Sequence, residues 1–138
     1  MTLVLERTLS ISPQAAFDAW LDPAALAIFM CPQPGGSVGK VTVDARVGGR
    51  FLITMIVGGK ELPHHGEYLE IERYTRLAFT WRSHHAGDGS RVLITFAPAD
   101  PAGRTTRLVL EHSGLDEAAV APHTVGWTNI LERLATTA

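Results

Sequence analysis

The sequence predicts an α+β fold: an antiparallel sheet of about seven strands curling around a long C-terminal helix, with two short helices after strand 1. Two observations predict it. Five glycine-marked breaks divide residues 36–112 into short apolar segments about ten residues apart, and one amphipathic helix centred on Trp127 then closes the chain. A sheet that curls round a single helix leaves a cavity between them, and such cavities bind ligands.

Leu3 to Ile11 alternate loosely, with Leu3, Leu5 and Arg7 on one face and Val4, Glu6 and Thr8 on the other, and read as the first strand. Ser12 is a good N-cap and Pro13 suits the first helical position, after which Ala16, Phe17 and Trp20 fall at helical spacing. Asp22 and Pro23 repeat that signal for a second short helix, Pro23 to about Phe29, which ends before Pro32. From Val38 the period changes to two. Val41 and Val43 precede a turn at Gly48-Gly49, and Phe51, Ile53, Met55 and Val57 alternate up to Gly58-Gly59, a strong two-residue hairpin signal. The next strand runs through Gly66 to about Ile71. Leu77, Phe79 and Trp81 then share one face, as do Val92, Ile94 and Phe96 beyond the turn Gly87-Asp88-Gly89. After Asp100, Pro101 and Gly103, the set Thr106, Leu108, Leu110 and His112 alternates against Arg107, Val109 and Glu111.

Proline is tolerated in a first helical turn and breaks a helix further in, so Pro122 is expected to open the final helix, with Asp116 to Val120 as a separate turn. Within that helix His123, Trp127, Ile130 and Leu134 fall in a narrow arc, while Thr128, Asn129, Glu132 and Arg133 point outward.

At 138 residues the chain has the length of one domain, spanning 1–138, and buries roughly 68–70% of its unfolded surface. The single cysteine, Cys31, excludes an internal disulfide and fits a reducing compartment, so the cytoplasm is expected. Glu6 and Arg7 interrupt the only apolar run near the N-terminus, which is therefore neither a signal region nor a membrane span. A net charge of −2 without a cluster of Lys or Arg excludes a nucleic-acid partner. With 46% hydrophobic and 19% charged residues the chain is apolar for its size, which suits a lined pocket or a homodimer contact.

Among the six histidines, His64-His65 and His84-His85 are adjacent pairs. Neighbours on a strand point to opposite faces, so neither pair chelates one ion; both lie near predicted loops and read as solvated. His112 and His123 fall on inward faces, where each suits a structural hydrogen bond or a contact to a ligand's polar head. Phe51, Met55, Tyr68, Phe79, Trp81 and Trp127 suit either the core or the wall of a cavity for a flat or acyl ligand. Tyr68 and Glu70 oppose Leu69 and Ile71, so register decides which pair faces inward. Cys31 has no flanking base and reads as a small buried hydrophobe, and Arg46, Glu70, Arg82 and Glu111 read as surface charges.

Taken together, the runs DARVGGRF from Asp44, GEYLEI from Gly66, FTW at Phe79 to Trp81, TRLVLEHSGL from Thr106, and Gly126-Trp127 followed by Leu131 and Leu134 carry a resemblance. They resemble the START-like (SRPBCC) superfamily, in the branch related to the activator of the heat-shock protein 90 ATPase, in order and spacing over nearly the whole chain. The resemblance implies a helix-grip fold, in which a strongly curved sheet grips a C-terminal helix over an elongated, mostly apolar cavity, and it implies no cofactor. The superfamily's activities range from lipid carriage to cyclases, aromatases, receptors and co-chaperones, so the fold leaves function open.

The branch usually has paired tryptophans before the proline that ends the second helix, where this chain has Phe29, Met30, Cys31 and Pro32, so a differently shaped pocket mouth is expected. Val47 stands where the branch usually has a proline. The eukaryotic co-chaperone also carries a separate N-terminal domain, for which this chain has no room, so direct activation of a chaperone ATPase is not expected.

The reading that follows is a non-enzymatic domain that binds a small apolar or amphipathic molecule between the last helix and the sheet. Its expected wall is Phe29, Met30, Met55, Tyr68, Phe79, Trp81, His112, His123, Trp127 and Ile130, with no metal and no catalytic set. Two alternatives stay open: a cyclase, aromatase or hydrolase using His112 or His123 as acid-base, and a stress-linked co-chaperone or other interaction module.

Overall fold

In the computed structural model, which describes residues 1–84, 86–87 and 89–137, the alternating segments become strands and the capped segments become helices. The order is β1 (Leu3–Leu9), α1 (Pro13–Ala19), α2 (Pro23–Phe29), β2 (Ser37–Val43), β3 (Arg50–Val57), β4 (Lys60–Glu72), β5 (Arg76–Thr80), β6 (Arg91–Pro98), β7 (Thr106–Ser113) and α3 (Glu117–Thr137). The strands form one antiparallel sheet in the order β1-β7-β6-β5-β4-β3-β2, curled into a half-barrel with α3 in its grip. This is the helix-grip architecture that the sequence predicts. His85 of the second histidine pair and Asp88 of the glycine-flanked turn lie outside the described residues.

Both short helices start at the expected caps. The Ser12 hydroxyl accepts from the Ala15 amide at 3.2 Å, and the Asp22 carboxylate accepts from the Ala24 amide at 3.0 Å. Gly58 and Gly59, with φ of +58° and +77°, supply the two left-handed residues that a tight β3–β4 hairpin demands. Gly66 has another role. A Cβ there would run into the Thr80 carbonyl and the Phe51 ring, so the bare backbone lets β4 pass beneath Phe51.

The last helix departs from expectation. Asp116 to Val120 do not form a separate turn; one helix runs unbroken from Glu117, with Pro122 inside it. Pro122 is the sixth residue of this helix, past its first turn, and removes one rung of the ladder, the bond its amide would have given the Ala118 carbonyl. The carbonyls just before it also receive side chains, from His123 to Ala119 (2.9 Å) and from Thr124 to Val120 (2.7 Å). The choice between Tyr68–Glu70 and Leu69–Ile71 is resolved by a bulge between Tyr68 and Glu70. The extra residue shifts the phase, so Tyr68 and Ile71 both turn toward the core while Leu69 faces solvent.

The core lies between the concave face of the sheet and α3, with α1 against β6 and β7 and α2 against β2. Phe17 of α1 meets Tyr74 and Phe96 edge-on, with ring centres 5.6 and 5.3 Å away. α3 contributes Trp127, Ile130, Leu131 and Leu134, and Asn129 ties it to the segment after α2 by donating to the Pro32 carbonyl at 2.9 Å. Among the described residues no helix is long and apolar enough to cross a membrane.

Candidate functional site

A cleft of about 120 Å3 opens where the first half of α3 faces the β3–β4 hairpin. The sheet supplies Met55, Leu62, His64 and Trp81; α3 supplies Pro122, His123, Gly126, Trp127 and Ile130; Pro32 and Ser83 complete the rim. Hairpin geometry explains the sheet side. With Gly58-Gly59 at the turn, Met55 pairs with Leu62 and Ile53 with His64, so inward placement of β3 carries Leu62 and His64 inward with it. His64 therefore corrects the expectation of a solvated loop histidine. It is 9% exposed, lies within β4, bonds the Leu62 carbonyl through Nδ1 at 2.9 Å, and packs its ring 4.9 Å from Trp81.

Behind the cleft the grip is closed. Trp20, Leu26, Met30, Phe51, Ile53, Tyr68, Phe79 and Trp81 surround a residual space of only about 10 Å3. Phe51 lies 5.4, 5.3 and 6.1 Å from Tyr68, Phe79 and Trp81, ring centre to ring centre, and these rings fill the volume that an elongated cavity would need.

The predicted wall therefore divides. Met55, Trp81, His123, Trp127 and Ile130 border the open cleft, whereas Met30, Tyr68 and Phe79 border the closed interior. Phe29 packs edge-on against Trp20 at 5.1 Å, and with 1% exposure for both Phe29 and Met30 neither sits at a pocket mouth. Burial, helped by the charge of Asp44, pushes the Tyr68 hydroxyl far up, so it stays protonated.

His112 lies behind Trp127 with no exposure at all. Its hydrogen bonds fix its tautomer. An indole can only donate, so the 2.9 Å bond from Trp127 Nε1 makes His112 Nδ1 an acceptor and leaves the proton on Nε2. Nε2 then donates to the Ser90 hydroxyl at 3.0 Å, and that hydroxyl donates to the Trp81 carbonyl. This chain links the two tryptophans of the cleft wall. Burial, with the neighbouring His123 adding to it, holds the His112 pKa down at about 3. A neutral ring with both nitrogens engaged has no lone pair to offer a substrate. The chain was hidden from sequence because its members lie on α3, β7 and the segments flanking β5 and β6.

His123 reaches the cleft edge and donates from Nδ1 to the Ala119 carbonyl at 2.9 Å. Arg46 pairs with Asp44 at 2.8 Å on the exposed surface, and Arg76 with Glu70 at 3.1 Å where both are half-buried. Cys31 is buried, with its thiol donating to the Gln33 carbonyl at 3.3 Å. Among the described residues no group of three or more His, Cys, Asp or Glu converges as a metal site would require.

The family model for Activator of Hsp90 ATPase homolog 1-like protein matches residues 10–138. The chain belongs to this family. A crystal structure of a Chromobacterium violaceum protein is 34% identical, covers 99% of this chain and 96% of its own, and has a TM-score of 0.85. That of the AHSA1 protein of Silicibacter pomeroyi is 30% identical over 99% of this chain and 96% of its own, with a TM-score of 0.82. A Plasmodium falciparum protein described as an HSP90 activator shares the fold at 21% identity, with 99% and 94% coverage and a TM-score of 0.77. No protein of curated function matches the chain by sequence. Membership places the chain in the START-like superfamily and supports a ligand-binding or co-chaperone type of module.

Proposed function

We propose that this member of the family is a non-catalytic binding module that seats a small apolar group in the cleft between α3 and the β3–β4 hairpin. The observation that supports it most is the cleft itself, about 120 Å3 walled by Met55, Leu62, Trp81, Trp127 and Ile130. An apolar cavity of about 150 Å3 holds a benzene, so the group is a single ring, a short branched chain, or the apolar end of an amphipathic molecule whose head stays outside. Burial drives the binding, at about 25 cal/mol per Å2 before ordering costs. The buried free thiol of Cys31 supports a cytoplasmic setting.

The test is methyl NMR at Met55 during titration with single-ring hydrocarbons, beside the variant Ile130→Trp, which fills the cleft. Saturable shifts in the native protein and none in the variant are expected. Identical responses in the two proteins would reject the cleft as the site.

Family membership supports a second reading, in which the module acts on a chaperone of the kind the family's name carries. Its assay is the steady-state ATPase rate of heat-shock protein 90 with and without this chain. An unchanged rate at saturating concentration would remove it.

A further inference from the structure

Gly126 lines the cleft from the middle of α3, where glycine is a poor helix former. In a helix interior it makes folding about twofold to fivefold less favourable than alanine does, because the unfolded chain has more freedom to lose. Neither backbone nor packing requires it here. Its conformation is ordinary helix, without the positive φ of the turn glycines. A Cβ on Gly126 would meet, beyond its chain neighbours and its own helix backbone, only the Pro32 Cβ among the described residues, at an ordinary 3.5 Å. Gly66, by contrast, has the Thr80 carbonyl and the Phe51 ring where its Cβ would stand.

What the missing side chain leaves is room in the cleft. Pro122, Gly126 and Ile130 lie four residues apart, so they form one row along the same face of α3, and all three border the cleft. A side chain at 126 would stand between those of Pro122 and Ile130, in the space that faces the sheet. Across this gap the wall is made of rings: Trp81 lies 4.9 Å from His64 and 4.9 Å from Trp127, ring centre to ring centre. Aromatic surfaces attract another aromatic ring beyond what its buried area supplies. We propose that Gly126 sets what the cleft admits: with no side chain in the row, a flat aromatic ring lies against the bare α3 backbone and meets Trp81 and its neighbouring rings from the other side. This rests on the binding reading above and narrows its ligand class to planar aromatic rings, alone or as the end of a larger molecule.

Phenol and cyclohexanol test it, since they carry the same hydroxyl on a flat and on a puckered ring. Each is titrated into the full chain, native and Gly126→Ala, with the Met55 methyl as the NMR reporter and thermal unfolding measured beside it. In the native protein phenol should bind about twofold to tenfold more tightly than cyclohexanol. Gly126→Ala should melt several degrees higher, because the helix gains, and yet bind phenol roughly fivefold or more weakly, because the methyl fills the gap. A variant that melts lower or does not fold would mean that packing requires the glycine, and one that binds phenol as tightly as the native protein would mean that the gap is not used. Either result overturns the role of Gly126 and leaves the binding reading standing. Equal affinities for the two probes in the native protein would overturn the aromatic class. A Met55 methyl unmoved by both would overturn the binding reading as well.

Discussion

Lowering the pH from 7 to 5 is expected to cost the fold about 2 kcal/mol through His112 alone. The ring has no exposure and its Nδ1 accepts from Trp127, so a second proton would set two donors face to face in the core. Burial accordingly depresses its pKa from 6.5 to about 3. In the unfolded chain the imidazole titrates at its ordinary value, so as the pH falls the unfolded state takes up the proton first. A depressed folded pKa means that the stability is fully present above 6.5 and is lost progressively as the pH drops toward 3. At about 1.4 kcal/mol per pH unit, the stretch from 6.5 to 5 accounts for the 2 kcal/mol. The carboxyls of Glu6 and Asp100, held below their usual range by hydrogen bonds from Arg107 and Thr105, stay ionised across this window.

The assay is urea denaturation followed by tryptophan fluorescence at pH 7, 6 and 5, for the wild type and for His112→Gln. A glutamine amide can accept from Trp127 and donate to Ser90 without titrating. The other five histidines are common to both proteins, and four of them lie outside the His112–His123 coupling. The wild type should lose about 2 kcal/mol more than the variant over the window. Parallel pH profiles would refute the neutral, doubly bonded assignment of His112.

Trp127→Ala should cost about 3–5 kcal/mol, because the ring is 2% exposed and packs 4.9 Å from Trp81, and Trp127→Phe about 1–3 kcal/mol, mainly from the broken bond to His112. Chemical denaturation of the pair checks both values; a cost below about 1 kcal/mol for the alanine variant would mean that the ring is not core. Gly66→Ala should lower stability by about 1–3 kcal/mol and the melting temperature by several degrees, since both the Thr80 carbonyl and the Phe51 ring stand where the methyl must go. Calorimetry showing an unchanged melting temperature would contradict that crowding. Ser12→Ala should cost about 1 kcal/mol through loss of the α1 cap, read from the shift of the urea midpoint.

The readable parts of this chain were those whose cause is local. Ser12-Pro13 and Asp22-Pro23 cap their helices by bonds spanning two or three residues, and Gly58-Gly59 builds its turn from its own dihedrals. Elsewhere the tertiary structure decides. Pro122 is a local rule overridden: the helix runs through it at the loss of one rung of the ladder, because α3 is held along its length by Trp127, Ile130, Leu131 and Leu134 in the core. His64 differs because the two-residue turn at Gly58-Gly59 keeps it in β4, opposite Ile53 and therefore inside. The bulge after Tyr68 has no local signature at all, yet it sets which residues of β4 face the core.

The sequence by itself determined the architecture, the family and the inward stripe of α3, because periodicity, caps and turns act between neighbours along the chain. Only the tertiary structure decided how much room the grip leaves. Phe51 comes from β3, Tyr68 from β4, and Phe79 and Trp81 from β5 and the residue just after it, and whether such rings enclose a cavity or fill it depends on their summed volume against the curvature of the sheet. It also decided the protonation of His112, since the indole that fixes its tautomer arrives on α3, fifteen residues further along the chain.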